Sequence, residues 1–430
     1  MFSSDDPLLR DSYYEASARR DGRYPPLQTD IACDVCIVGA GLAGLSAAIE
    51  LADAGFTVAV LEARQVGWGA SGRNGGQAVV GLACDMQVVR GQLGSTVARQ
   101  VWDTTVEAVG LIHQRCRRFD IDCEWQDGFV SAAVTQRRAG ELAQWADTLA
   151  RDYGYDRLRH IDRAELPQWI ASPRYVAAAF DSGSGHLHPL KYTLGLARAA
   201  AGLGVKIFEG SQAIEVRPGR LAEVRTSAGR VHCSHVLLAG NVYLRDLVPQ
   251  LARRIMPVGT FIAASRPLGA ERAAQLLPRG TAVCDTQWVL DYFRLSRDHR
   301  MLFGGRVSYS TIAPRDLPST MRRRMVAVFP QLAEVAVEFA WGGYVDITMN
   351  RAPDFGRVTD NVYYLQGFSG HGLALTGLAG RIVAEAMRGT ASRFDLFARI
   401  RHREFPGGRW LRAPLLVLAM AWYRMRDILE

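Results

Sequence analysis

Lysine is almost missing from this chain of 430 residues: Lys191 and Lys206 are its only two, and 49 of the 51 basic residues are arginine. Schiff-base chemistry and a phosphate-loop lysine are therefore close to excluded, because each needs a lysine and only two positions offer one. Cysteine is sparse as well, with seven residues scattered at 33, 36, 84, 116, 123, 233 and 284 and no second close pair to complete a four-thiolate zinc site. The expectation is free thiols in a reducing compartment and no metal. Cys33 and Cys36 form a CxxC, but they flank the start of an apolar run in which Cys36 points into a sheet. No run of about 20 apolar residues exists, which excludes a spanning helix. The first residues, MFSSDDPLLR, are acidic and polar, and Arg19-Arg20 is followed by DGRYPP, so no secretory or twin-arginine signal is read and a cytoplasmic location is expected.

What is present is an ordinary globular composition, with 48% hydrophobic residues and a length that suits two domains. The formal net charge of +8 suits an anionic cofactor, an acidic substrate, anionic lipid or nucleic acid, and by itself selects none of them. The arginines are dispersed rather than gathered in a basic stripe, and no RNA-binding module is appended, so nucleic acid is not an expected partner.

Asp34 to Gly39 reads as a buried parallel strand, Leu42 to Ala54 as a helix, and Phe56 to Leu61 as a second strand ending at Glu62. From about 90 to 170 the pattern changes to long polar helices, Thr96 to Phe119 and Arg137 to Tyr153, around a strand at Phe129 to Val134. His188-Pro189 opens a helix through Ala201, followed by strands at Val205 to Phe208 and Val231 to Ala239. Strands at Pro257 to Ser265, Trp288 to Leu295 and Met301 to Gly304 form an antiparallel sheet with one helix near 319 to 328. Val362 to Leu365 is a short strand, and Leu373 to Met387 a helix. The predicted fold class is α/β: a Rossmann-like nucleotide domain from 1–90, 186–250 and 346–430, plus an α+β substrate domain from 91–185 and 251–345.

Gly39-Ala-Gly41-Leu-Ala-Gly44 is GxGxxG, a weak signal alone that its context strengthens. It follows a strand and opens a helix, and Glu62 stands 21 residues after Gly41 at the end of the next strand. Gly39 permits the turn, Gly41 lets backbone N–H groups approach a pyrophosphate, and Gly44 lets helix pack on strand. Glu62 accepts hydrogen bonds from ribose hydroxyls and repels a 2′-phosphate. A second loop then separates a flavin from a nicotinamide dinucleotide. Gly67 to Gln77, with Ser71, Arg73, Asn74, Gly75, Gly76 and Gln77 preceded by Arg64, lets a flat ring lie against backbone. A third element, Gly367-Phe-Ser-Gly370-His371-Gly372, leads into a helix whose positive end stabilises negative charge on a reduced flavin. Gly240, ending another strand, completes the expected cofactor set, and FAD is the expected cofactor.

These motifs, in this order, resemble the D-amino-acid-oxidase-like family of FAD enzymes. The resemblance extends through Ser12 to Ser17, Gly185 to Leu190, Ala239 to Leu244, Leu290 to Leu295 and Phe405 to Arg409, nearly the whole length. It implies hydride transfer from an amine C–N bond to flavin, in a branch acting on γ-glutamylputrescine or a related γ-glutamylpolyamine. The products would be an aldehyde, ammonia and hydrogen peroxide, with a place in polyamine breakdown. Two other readings stay open: a pipecolate or N-methyl amino-acid oxidase or dehydrogenase passing electrons to quinone, and a tRNA-directed flavoprotein. In small relatives a lysine beside the flavin promotes reaction with oxygen. Here neither Lys191 nor Lys206 fits that place, so oxygen and quinone both stand as acceptors.

His371 is the candidate catalytic group, as tuner or proton acceptor, with loop support as the alternative. A glutamyl carboxylate asks for arginine and a polymethylene chain for aromatic walls, which nominates Trp288, Tyr292, Arg294, Trp341, Tyr344 and Arg351. Tyr292 and Arg294, two apart on a strand, share a face. The tail from Trp410 to Arg426 combines apolar residues with arginines, and is read as docking on the protein's own surface or lying at a membrane interface.

Overall fold

The computed structural model describes residues 12–305, 315–406 and 422. Strand Ile31–Val38 alternates its side chains between two cores: Val35 and Ile37 enter one, Cys36 and Val38 the other. Burial on both faces is why the second half, Val35 to Val38, is continuously apolar, as in parallel sheets covered by helices. This strand lies at the centre of an eight-stranded sheet ordered Asp354–Thr359, Val362–Gln366, Arg230–Leu238, Ile31–Val38, Val58–Leu61, Lys206–Phe208. The pairings are parallel except at the Asp354–Thr359 edge and in the meander Glu215–Arg217 and Ala222–Arg225.

Helices Leu42–Asp53, Pro189–Gly202 and Gly372–Met387 pack together over one face. The approach of the first and last is close, since a Cβ on Gly380 would stand 2.5 Å from Ser46 Cβ. The long helix Ser95–Arg118 adds a buried Arg115, which donates to Ser46 Oγ (2.7 Å) and pairs with Glu50 (3.0 Å).

The second sheet has nine strands, ordered Val337–Thr348, Ile255–Ser265, Met301–Gly305, Asp291–Leu295, Ala282–Asp285, Gln126–Ala133, Ala177–His186, Gln77–Ala78, with Leu158–Ile161 joined to the seventh. It is antiparallel save for Ala282–Asp285 beside Gln126–Ala133. Period-two alternation gives it two faces. Phe261, Phe293 and Phe303 pack under Met321 and Met325 of helix Leu317–Val328, while Ile262 and Trp341 face the nucleotide sheet.

The expected strand from Trp288 to Leu295 is shorter than predicted. It begins at Asp291, because residues 286–290 connect two antiparallel strands and the Asp285 carboxylate accepts from the N–H groups of Gln287 and Asp291 (3.1 Å each) to close that turn. The apolar tail falls outside the described residues apart from Trp422, and no helix among the described residues is long and apolar enough to cross a membrane.

Candidate active site

A cavity of about 1140 Å³ runs from the ends of the parallel strands to the second sheet. The glycine loop forms one end of it. Gly39 has φ +111°, and a Cβ there would stand 2.7 Å from the Ala239 carbonyl oxygen. A Cβ on Gly41 would come within 2.7 Å of Ser71 Oγ, which accepts from the Leu42 N–H (2.9 Å). Gly44 is turned inward, its Cβ position 2.0 Å from the Gly39 carbonyl oxygen, so it serves helix-to-strand packing and does not line the cavity. Helix Leu42–Asp53 therefore starts at the cavity wall, its cap residue Gly41 offering no side chain and its first N–H taken by Ser71 Oγ.

Glu62 ties the second strand to this loop. Its Oε2 accepts from Ala40 N–H (2.9 Å) and its Oε1 from Arg64 N–H (2.8 Å). Burial pushes its carboxyl above the ordinary range, and the two backbone donors oppose that shift. The loop from Gly67 to Gln77 forms the next wall. Asn74 donates to the Ala70 and Ser71 carbonyls and accepts from Gly76 N–H (2.8 Å), while Gln77 donates to the Val283 carbonyl (3.0 Å) in the second sheet. A Cβ on Gly75 would stand 2.6 Å from the Tyr292 ring.

The third element meets them. Gly370, His371 and Gly372 line the cavity at the uncapped start of helix Gly372–Met387. His371 Nε2 donates to the Val80 carbonyl (3.2 Å), and burial holds its imidazole below the ordinary pKa, so the ring is neutral at physiological pH. Below this loop the buried Asp346 accepts from Gly367 N–H, and burial raises its carboxyl to about 6.

Of the residues named from sequence, Gly39, Gly41, Glu62, Arg64, Ser71, Arg73, Asn74, Gly75, Gln77, Gly240, Tyr292, Tyr344, Arg351, Gly370, His371 and Gly372 line this one cavity. Five do not, the first being Gly44, the inward-turned packing glycine already described. Gly76 lies behind the wall, its Cβ position 2.7 Å from Arg294 Nη2. Arg294 shares a face with Tyr292 as expected, but it runs behind the loop and donates to the Gly75 carbonyl (2.8 Å) rather than reaching the cavity. Trp341 is buried, with its indole N–H on the Arg73 carbonyl (3.0 Å). Trp288 sits in the turn beyond the strand, with the Arg138 guanidinium over its ring.

The cavity also recruits residues that no motif announced. Leu142, Gln144, Trp145, Thr148 and Leu149 on one face of helix Gln136–Tyr153, with Trp102 and Tyr155, form its outer wall. No sequence signal marked them: Trp145 shows its 39% exposure only once the helix is in place.

The cradle fits FAD on its own chemistry: glycines whose Cβ atoms would fill the space, a carboxylate at the end of the second strand, and two helix starts facing one cavity. Comparisons agree. Residues 34–386 match the FAD dependent oxidoreductase family. The chain is 41% identical over 417 residues to the γ-glutamylputrescine oxidoreductase of Escherichia coli strain K12, covering 97% of this chain and 98% of that protein. It is 40% identical over 422 residues to the probable oxidoreductase OrdL of Haemophilus influenzae, covering 97% of each. Among solved structures it is similar to glycine oxidase from Bacillus cereus (TM-score 0.68, 22% identity, 86% of this chain and 99% of that one). It is also similar to L-amino acid deaminase from Proteus vulgaris (TM-score 0.69, 21% identity, 89% and 95%).

Proposed function

The chain belongs to the FAD dependent oxidoreductase family, and from that premise we propose that it oxidises the terminal amine of γ-glutamylputrescine or a related γ-glutamylpolyamine. The observation that carries this reading is the 41% identity to a protein of that name across 97% of the chain. The amine would become an imine, which water converts to an aldehyde and ammonia. Oxygen is the proposed acceptor, giving hydrogen peroxide. Residues 1–90, 186–250 and 346–430 are assigned to the cofactor domain, and 91–185 and 251–345 to the substrate domain.

FAD, when bound, accepts a hydride from the carbon bearing the nitrogen. The protein's part is to hold, orient and exclude water. Backbone N–H groups at Gly41 and Ala43 would hold the pyrophosphate, Glu62 the ribose hydroxyls, and Asn74, Gly75 and Gln77 the ring. His371, neutral and donating from Nε2, carries its lone pair on Nδ1 and accepts the proton that the substrate ammonium must lose. Tyr292 and Tyr344 form apolar walls, and Arg351 is the anchor for the glutamyl carboxylate. Arg351 has φ +60°, a backbone conformation costly for arginine and of the kind that collects at ligand sites.

The test is an anaerobic titration of the flavin band near 450 nm with γ-glutamylputrescine and, separately, pipecolate, followed by aeration with peroxide detection. Bleaching by the glutamyl amine and prompt peroxide release is the expected result. Bleaching by pipecolate alone, with slow reoxidation, would replace the reading with a secondary amino-acid dehydrogenase.

A further inference from the structure

Arg294 carries a buried charge with no counterion among the described residues. Only 4% of the residue is exposed, yet its partners are all neutral: the Gly75 carbonyl (2.8 Å from Nε), the Leu295 carbonyl (3.2 Å from Nη1) and the Tyr14 hydroxyl (3.1 Å from Nη2). Tyr14 does not supply a negative charge, because burial pushes its hydroxyl above the ordinary range and keeps it protonated. The carboxylates that act on this region, Glu124 and Asp298, are committed elsewhere, to Lys191 (2.6 Å) and Arg300 (2.7 Å). The neighbouring histidines add no compensation either. His186 and His188 are both held down to about 3, by burial first and by the Arg294 charge second, so both are neutral.

An uncompensated buried cation is costly, and such groups persist where something pairs with them in the working state. Here the guanidinium is pressed against the back of one particular loop. Its Nε holds the Gly75 carbonyl, and a Cβ on the next residue, Gly76, would stand 2.7 Å from Nη2 and 2.8 Å from Nε. The opposite side of that loop lines the cavity through Asn74, Gly75 and Gln77. The loop is thus a thin glycine wall with the cation directly behind it, and neither of the two lysines stands at the cavity.

We propose that Arg294 is a positioning residue that fixes Gly75 and supplies, through this wall, positive potential that stabilises the negative charge FAD acquires on two-electron reduction. This rests on the flavin ring lying over Asn74 to Gln77. Charge set in place before the reaction, in a region shielded from water, acts without reorganisation. The N-terminal segment enters the cofactor site the same way, because Tyr14 steadies the guanidinium and its ring lies 5.9 Å from it.

The experiment compares the FAD-loaded wild type with Arg294→Lys, Arg294→Gln and Tyr14→Phe by midpoint potential and by sulfite titration. Sulfite adds to oxidised flavin and leaves the ring with the same added negative charge. Arg294→Gln should weaken sulfite binding at least tenfold and lower the potential by about 30 mV or more, the equivalent of tenfold for a two-electron couple. Arg294→Lys and Tyr14→Phe, which keep the charge, should stay within about threefold of wild type. An Arg294→Gln protein that keeps FAD with unchanged potential and sulfite affinity overturns the proposal. Where that variant does not retain FAD, the wild type decides: formation of the sulfite adduct supports the charge, and its absence at saturating sulfite refutes it. Failure of the ring placement would look different, since Gly75→Val would then leave FAD affinity unchanged.

Discussion

His371 Nε2 donates to the carbonyl of Val80 at 3.2 Å, joining the start of helix Gly372–Met387 to the bend that follows strand Gln77–Ala78. That bond fixes the tautomer, and burial keeps the imidazole neutral below its ordinary pKa. His371→Asn is expected to retain FAD and lose about 10²-fold or more in kcat, the range for a group that moves a proton. The wild-type acid limb in kcat/KM should fall below the ordinary histidine value of about 6.5. The linked stability effect has a defined sign. The unfolded histidine takes up a proton near pH 6.5 that the folded one refuses, so this site loses stability as pH drops below that value. A kcat within threefold of wild type would leave His371 only a loop support.

Gly41 and Gly44 belong to one motif but should fail differently. A methyl on Gly41 meets Ser71 Oγ at 2.7 Å, in front of the helix start, so Gly41→Ala should fold with near-native circular dichroism and lose FAD affinity. A methyl on Gly44 meets a backbone oxygen at 2.0 Å, which cannot step aside. Gly44→Ala should therefore cost about 1–3 kcal/mol in urea unfolding of the apoprotein, as overpacking does. Equal loss of FAD and of stability in both variants would refute the division of labour.

Glu62 spends both oxygens on backbone donors, Ala40 N–H at 2.9 Å and Arg64 N–H at 2.8 Å. Hydrogen bonds to a charged acceptor are worth about 1.5–3 kcal/mol. Glu62→Ala should weaken FAD binding by about 10- to 100-fold through loss of loop order and of the ribose acceptor, measured by equilibrium dialysis. Glu62→Gln, which keeps one carbonyl acceptor, should lose less.

Asp285 is a buried carboxylate at the turn beside the cavity, raised to about 7 by burial and then by the neighbouring Asp291 charge. Its Oδ1 holds two backbone N–H groups, whereas Oδ2 has no hydrogen-bond partner. The folded state here prefers the protonated acid, so wild-type stability attributable to this group is present near pH 4 and is lost as pH rises through about 7. Asp285→Asn keeps an oxygen for the two N–H groups and removes the ionisation. It should raise thermal stability relative to wild type at pH 8 and make little difference at pH 4, read by calorimetry at both values.

The parallel half of the fold was legible because each of its signals is local. Apolar strands buried on both faces, glycines at fixed offsets from a strand end, and a carboxylate closing the next strand lie within Ile31–Glu62. Sixteen cofactor and substrate candidates did converge on one cavity for the same reason: they sit at strand ends or loop tips that the sheet aligns. The outer wall on helix Gln136–Tyr153 was not readable, because a polar helix gives no sign of which face a distant cavity will use. Trp288 was misplaced by three residues of turn that Asp285 closes through its side chain.

Arg294 marks the boundary between the two kinds of information. Sequence alone determined that the chain binds an adenine dinucleotide, that the second glycine loop suits a flavin, and that Tyr292 and Arg294 share a strand face. It also determined that lysine is nearly absent. Only the tertiary structure decided that Arg294 ends behind Gly75 and Tyr292 in front of it. Their Cα atoms stand one repeat apart along the same strand, and the loop that separates their destinations comes from a segment more than 200 residues away. Strand periodicity fixes which way a side chain leaves the sheet; what it meets there is set by long-range packing.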